Sequence, residues 1–472
     1  MISFEPYPFE KMRDLLEGLE PKNSLKLLNL SIGEPQFPTP QIILDELRRN
    51  EKLFAKYPTS AGEARLREAQ RGFIRRRFSL ELTNEECLPT LGTREALFNF
   101  PQFLLFSREN ALIAHPNPFY QIYEGAAKMC RAEQILLELR EENGFLPDPA
   151  DPRLAACDLV ILNSPNNPTG AVMSLETLKI WARLAAKHGF VLLNDECYSE
   201  IYRGEKPPSL LEAARAIGND KFKNIIVMNS LSKRSSAAGV RSGFAAGDSE
   251  ILRGYARYRS YAGCAAGVPL QLAAAAAWED DFHAEQIRQK YAANLVLAEE
   301  ILGIKAPEAA FYLWLKVTDD QAAARELFVN YAIRALCGSF LSRLSGDRSF
   351  LRGDSSDHRA AHNRAAKNDS FFDRKSRESK YESDRAAEKN SYDPRGGHNR
   401  AAAENSSFDR ANSDRSVHCP VHTSNLAVRC ANLDHASQKH QYLRLALVYE
   451  QDETTEALTR LKEFLSHSKF AA

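Results

Sequence analysis

From Ser24 to about Gly247 the chain repeats one pattern: short apolar, β-rich runs alternate with helical patterns, and each run ends in a loop rich in Gly, Pro, Asn or Asp. Such punctuation is that of an α/β fold. The clearest runs, Ala111–Ala114, Asp158–Asn163, Phe190–Asn194, Ile225–Met228 and Gly243–Ala246, are continuously apolar rather than alternating. A strand of that kind is buried on both faces, so the expectation is a mostly parallel central sheet covered by helices on both sides. Ligands bind such sheets beyond the carboxyl ends of the strands, which directs attention to the loops that follow these runs.

The pattern turns helical from Ile251 to Leu302, then a second, smaller α/β unit follows. In it Ala310–Val317 reads as a strand, Gln321–Val329 as a helix, Tyr442–Val448 as another strand and Thr454–Ser466 as a closing helix. The expected organisation is an N-terminal arm and part of a small domain over 1–45, a large domain over 46–290, and the rest of the small domain over 291–344 and 441–472. Between Ser345 and His440 the composition changes to Ser, Asn, Asp, Arg, Ala and His, with seven of the eleven histidines and a repeat, His362-Asn-Arg-Ala-Ala to Phe372-Asp-Arg374 recurring as His398-Asn-Arg-Ala-Ala to Phe408-Asp-Arg410. With few aliphatic residues it cannot offset its ordering entropy, and it reads as a disordered, low-complexity insertion.

Lys plus Arg total 62 and Asp plus Glu 62, which argues against a nucleic-acid partner, because phosphate contacts need a basic excess. The start lacks the apolar core of a signal peptide, and the longest apolar stretch, Ala265 to Trp278, is interrupted by Gln271 and too short for a bilayer of ~30 Å. Eight scattered cysteines show no paired framework. A cytoplasmic protein without membrane spans is expected.

Four motifs carry chemistry. Ser230-Leu-Ser-Lys233, with Arg241 eight residues on, places a lysine in a hydroxyl-rich loop at a strand end, as a Schiff-base site needs, with Ser230 and Arg241 able to hold a phosphate. A plain basic surface loop would look similar. Asn163-Ser-Pro-Asn-Asn167-Pro168 turns sharply after a strand and presents an amide; an ordinary Asn-Pro turn would do the same. Asp195-Glu-Cys-Tyr198 ends the next strand, where an aspartate can pair with a protonated ring nitrogen or simply cap a helix. Leu91-Gly92-Thr93-Arg94 opens a helix with small residues whose free N–H groups could cradle a phosphate.

In this order and at these intervals the motifs resemble the pyridoxal-phosphate-dependent aminotransferases of the aspartate aminotransferase fold. The resemblance covers about Leu28 to Arg343, resumes at Tyr442, and includes Ser31-Ile-Gly33-Glu-Pro, Tyr57-Pro-Thr-Ser-Ala-Gly62 and Pro118-Phe-Tyr120-Gln-Ile-Tyr123. Within the family the wording around Gly92, Asn117 and Asp195 is most similar to the bacterial succinyldiaminopimelate aminotransferases of lysine biosynthesis. It implies a fold type I enzyme in which Lys233 binds the cofactor aldehyde and moves the substrate proton. Asp195 would keep the pyridine nitrogen protonated, and Tyr198 and Asn167 would hydrogen-bond the ring oxygen. Tyr120 would stack on the ring, while Gly92, Thr93, Ser230 and Arg241 would hold the phosphate. Tyr57 would reach it from the neighbouring subunit of a homodimer. Arg444 would grip the substrate α-carboxylate bidentately, which a lysine could not reproduce, and Gly33 would add an N–H. Arg94 is a candidate for a distal carboxylate, or a solvated first-turn arginine.

The implied reaction exchanges an amino group between N-succinyl-diaminopimelate, or a similar dicarboxylic amino acid, and 2-oxoglutarate. Two alternatives remain beside it: another fold type I activity, such as a C–S lyase or an aspartate or aromatic aminotransferase, and a non-catalytic descendant disabled by the insertion. The chain departs from the family's pattern at Cys337, where a proline is usual, and in the segment that precedes Arg444. Lengthening that loop about sixfold costs only about 1.6 kcal/mol if its ends stay in place. His418-Cys419-Pro-Val-His422 with Cys430 and His435 matches no strong zinc template.

Overall fold

A computed structural model describes residues 4–22, 24–343 and 441–472. The expected insertion, its repeat and its histidine cluster lie outside the described residues. In chain order the strands are β1 (Leu28–Asn29), β2 (Cys87–Thr90), β3 (Leu112–Asn117), β4 (Glu133–Glu138), β5 (Leu159–Asn163), β6 (Val191–Asp195), β7 (Ile225–Ser230), β8 (Gly243–Gly247), β9 (Tyr312–Lys316), β10 (Ile333–Arg334), β11 (Leu336–Cys337) and β12 (Tyr442–Ala446).

Seven of them form the central sheet in the order β2-β8-β7-β6-β5-β3-β4. β7, β6, β5, β3 and β4 run parallel, whereas β8 is antiparallel to both its neighbours. The apolar runs are double-sided as their composition requires. Val160, Leu162, Leu192, Ile225 and Val227 belong to the core on one face of the sheet, and Leu159, Ile161, Val191, Leu193, Ile226 and Met228 to the core on the other. On the first face lie helices Ala64–Phe78, Leu175–His188, Leu210–Ala216 and Val268–Glu279; on the second lie Thr93–Leu105, Ile122–Met129 and Ser249–Ala262. Each fully buried large aliphatic or aromatic side chain contributes about 1.5–3 kcal/mol.

Two strands of the central sheet were absent from the sequence expectation, β2 and β4, and they are its two edges; the two-residue strands β1, β10 and β11 were absent from it too. β4, Glu-Gln-Ile-Leu-Leu-Glu, is only partly covered and carries the polar residues of an edge, so it lacks a continuous apolar run. β2 is four residues long and contains Pro89, which an edge tolerates.

A second sheet, β11-β12-β9, is antiparallel, with β1 paired to β10 beside it. The core here combines Met12, Leu15 and Leu16 of helix Pro8–Leu16 with Leu327 and Phe328 of helix Asp320–Tyr331 and Leu458, Leu461 and Phe464 of helix Gln451–His467. Leu336 pairs with Arg444 and Cys337 with Leu443. The two sides of the long connection are therefore adjacent in register, and Cys337 in the place of proline does not prevent the pairing. No helix among the described residues is long and apolar enough to cross a membrane.

Candidate active site

The strand ends meet at one cavity of about 570 Å³. Because β5 and β6 are parallel and in register, Asn163 stands opposite Asp195. β8 begins at Gly243, which pairs with Ser230 on one side and Thr90 on the other, so segments distant in the chain converge on one corner.

That corner is built for an anion. Gly92 precedes helix Thr93–Leu105 with φ 73° and ψ 163°, and a Cβ on it would lie 2.4 Å from an Nη of Arg241. The left-handed conformation favours glycine, and a side chain there would push the Arg241 guanidinium from its place. Arg241 donates to the carbonyl oxygens of Ala238 at 2.8 Å and Leu91 at 3.5 Å, and no carboxylate among the described residues pairs with it. Ser230 accepts from the Ser232 N–H at 3.1 Å and donates to the Ser232 hydroxyl at 2.9 Å. A free cation, two hydroxyls and the first N–H groups of a helix of 13 residues make up the corner. The Thr93 hydroxyl lies 2.9 Å from the sulfur of Cys197.

Lys233 follows in the short helix Leu231–Arg234 rather than in an open loop, because Ser230 caps a helical turn directly at the strand end. Its Nζ donates to the Gly33 carbonyl. Burial pulls its pKa down to about 8; the nearby Arg444 acts in the same direction and Cys197 opposes it. An amine so placed is partly neutral, and hence nucleophilic, near neutral pH. Asp195 accepts from the Tyr123 hydroxyl at 2.8 Å and from the Cys197 N–H at 3.2 Å. Burial pushes its carboxyl above the usual range, and these two donors only partly oppose that.

The other end of the cavity is made by the second sheet and the N-terminal segment. Arg444, 5% exposed, donates to Asn167 Oδ1 at 3.0 Å and to the Ser31 carbonyl at 2.6 Å. Its Nε is buried without a partner, and no carboxylate among the described residues pairs with it. Asn167 is fixed in turn by its N–H donating to Asn163 Oδ1 at 2.8 Å. Tyr198 and Tyr312 share a hydrogen bond of 2.8 Å between their hydroxyls. Arg94 donates from Nε to the Tyr120 hydroxyl at 2.6 Å and from Nη2 to the Tyr7 hydroxyl at 3.3 Å, again without a carboxylate partner among the described residues.

Of the residues singled out from sequence, Gly33, Thr93, Arg94, Tyr120, Asn167, Asp195, Tyr198, Ser230, Lys233, Arg241 and Arg444 line this cavity, and Gly92 borders it through Arg241. Tyr57 does not: its side chain is completely exposed, at 101%. The sequence reading assigned nothing to Tyr7, Glu34, Tyr123, Cys197, Ser232 or Tyr312. Tyr123 had a signal, three residues after Tyr120 at a helix start and so on a shared face. Tyr7 and Tyr312 had none, as aromatics in an N-terminal helix region and an apolar strand.

The residues present fit pyridoxal phosphate. Arg241, lacking an acid partner, and the glycine-lined helix start suit its phosphate. A partly neutral lysine suits its aldehyde. A buried carboxylate suits a protonated ring nitrogen, whose opposite charge would favour the ionised Asp195 that burial alone disfavours.

The family model for aminotransferase class I and II matches residues 26–352. A solved aminotransferase, AspB of Helicobacter pylori, is 40% identical and superposes with a TM-score of 0.77, covering 98% of this chain and 100% of that one. The 4-dedimethylamino-4-oxo-anhydrotetracycline transaminase OxyQ of Streptomyces rimosus is 33% identical over 61% of this chain and 78% of its own length. An LL-diaminopimelate aminotransferase of Dehalococcoides mccartyi is 31% identical over 68% of this chain and 84% of its own length. With a sheet, a lysine and an anion corner of this kind, and with that match, the chain belongs to the class I and II aminotransferases, which work with pyridoxal phosphate.

Proposed function

We propose that this aminotransferase exchanges an amino group between N-succinyl-diaminopimelate, or a similar dicarboxylic amino acid, and 2-oxoglutarate, in the formation of lysine. The observation that carries the reading is the set of three arginines at one cavity, Arg241, Arg444 and Arg94, none with a carboxylate partner among the described residues. Buried or half-buried cations are normally paired. Buried Arg444 and half-buried Arg241 thus call for two anionic groups, the cofactor phosphate and a substrate α-carboxylate, and the more exposed Arg94 is placed to meet a distal carboxylate. That relatives include LL-diaminopimelate aminotransferases supports a diaminopimelate-like substrate.

When bound, pyridoxal phosphate supplies an aldehyde that condenses with amines and a protonated ring that withdraws electrons from the adjacent carbon. Gly92, Thr93, Ser230 and Arg241 hold its phosphate, Tyr120 covers the ring face, and Asp195, backed by Tyr123, holds the proton on the ring nitrogen. Tyr198 and Asn167 hydrogen-bond the ring oxygen. Arg444 and the Gly33 N–H orient the substrate α-carboxylate, and Arg94 receives the distal one. Lys233 Nζ takes the proton from the substrate α-carbon and returns it on the product side. The domains act as the sequence divides them, with Arg444 carried by the smaller one. The fully exposed Tyr57, with Phe54 at 60% and Tyr261 at 90% exposure, supports a homodimer in which Tyr57 completes the neighbouring site.

The test is a half-reaction screen that follows the cofactor's absorption as it takes up an amino group from glutamate, N-succinyl-diaminopimelate and LL-diaminopimelate. Conversion by glutamate and by one diaminopimelate derivative is expected. No conversion by glutamate would overturn the reading in favour of a lyase.

A further inference from the structure

Tyr312 stands on β9, in a stretch with no motif, yet it lies where the cofactor and substrate ends of the cavity meet. Its side chain is buried. The guanidinium of Arg444 lies over its ring, 4.6 Å from the centroid. A Cβ at Gly33 would sit 2.0 Å from its hydroxyl oxygen, so the missing side chain of Gly33 is what admits the phenol. A buried phenol needs a partner, and among the described residues its hydroxyl meets Tyr198 at 2.8 Å. The titratable and charged groups that act on it are Tyr198 from the loop after β6, Arg444 from β12, Tyr7 from the N-terminal segment and Tyr291 from helix Phe282–Leu302. No carboxylate is among them.

We propose that Tyr312 is a positioning residue for the cofactor, its hydroxyl donating to Tyr198 and so strengthening the hydrogen bond that Tyr198 makes to the cofactor ring oxygen. The inference rests on the reading above that Tyr198 meets that oxygen. Proton arithmetic sets the direction. A phenol has one proton; if Tyr198 gives its own to the ring oxygen, it can only accept within the tyrosine pair, and Tyr312 must donate. A donor that itself accepts a hydrogen bond is strengthened by about 10–30%. The charge of Arg444 over the Tyr312 ring pulls electron density from that phenol and favours the donation further. With the cofactor aldehyde held by Lys233, the ring oxygen and the lysine nitrogen would share one proton. The stronger the outside donor at that oxygen, the less tightly the shared proton is held.

The readout is the pH midpoint of the visible absorption band of the cofactor-loaded full chain. Tyr312→Phe keeps the ring under Arg444 and removes only the hydroxyl, and is expected to raise the midpoint by about half a unit. In a Tyr198→Phe background the same substitution is expected to move it no further, since the relay is already cut. An unmoved midpoint in Tyr312→Phe, or an equal shift with and without the Tyr198 hydroxyl, would overturn the inference. Should Tyr312→Phe fail to fold, Gly33→Ala displaces the hydroxyl from the other side, and an upward shift is again expected; no shift overturns the inference. A wild-type chain that takes up no cofactor overturns the site reading together with this one, whereas a loaded chain with an unmoved midpoint overturns this one alone.

Discussion

The two ends of the cavity are built differently. The phosphate and lysine end stands on consecutive strand ends of one sheet, β2, β8, β7 and β6, whose pairing fixes Gly92, Ser230, Lys233 and Asp195 together. The other end is assembled from five separated segments, those of Tyr7, Gly33, Arg94, Tyr312 and Arg444. A sheet edge gives one end a rigid cup set by backbone register. At the other end, position depends on long side chains and on the packing of the second sheet. On the proposed function, chemistry common to all substrates would thereby be separated from the contacts that choose among them.

Substitutions at the two ends test that contrast. The largest effect is expected of Lys233→Ala, at least about a thousandfold in the half-reaction rate, because a nucleophile and a general acid–base group are lost together. Borohydride should no longer fix cofactor to the chain; a variant that keeps a tenth of the wild-type rate would show that another group moves the proton. Next comes Arg444→Lys, which loses the two-pronged geometry and should lower kcat/KM by about 30- to 1000-fold, or about 2–4 kcal/mol. Cofactor affinity, measured by equilibrium dialysis, should hold. If it falls equally, the two ends are not separable.

Arg241→Met should do the reverse, weakening cofactor binding by roughly 10- to 100-fold, the value of about 1.5–3 kcal/mol for a hydrogen bond to a charged group. The rate of cofactor uptake should also depend on pH. With the Lys233 pKa lowered to about 8, the neutral amine fraction falls about tenfold per unit below that value. Uptake should therefore rise with pH and level off above pH 8; a plateau reached only near 10 would mean the lysine is not desolvated. The smallest effect is expected of deleting residues 345–439, with cofactor uptake kept and the unfolding free energy changed by less than about 2 kcal/mol in a urea titration.

Legibility in the sequence follows the same division. Continuous apolar runs announced β3, β5, β6, β7 and β8, because burial on both faces leaves no room for polar residues. The edges β2 and β4 escaped because an edge strand is held by its one neighbour and writes no such run. At the site, Lys233, Asp195 and Asn167 were readable because each stands at the end of a strand or within four residues of it. Arg444 was readable only through resemblance, its alternation on β12 being that of any half-covered strand. Tyr312 and Tyr7 could not be found from spacing, since their partners Tyr198 and Arg94 lie about a hundred residues away in the chain and the contact exists only once the two sheets are folded.

The pairing of Leu336 with Arg444 has one more consequence. β12 is the middle strand of its sheet, and the helix that follows it seats Ala457, Leu458, Leu461 and Phe464 in the surrounding core. Arg444 is thus placed by strand register and apolar anchoring. The last 32 described residues are a detachable part in the sense used in fragment complementation. Added as a separate peptide to a chain that lacks them, they are expected to restore activity in proportion to peptide concentration, and no recovery at any concentration would overturn that expectation.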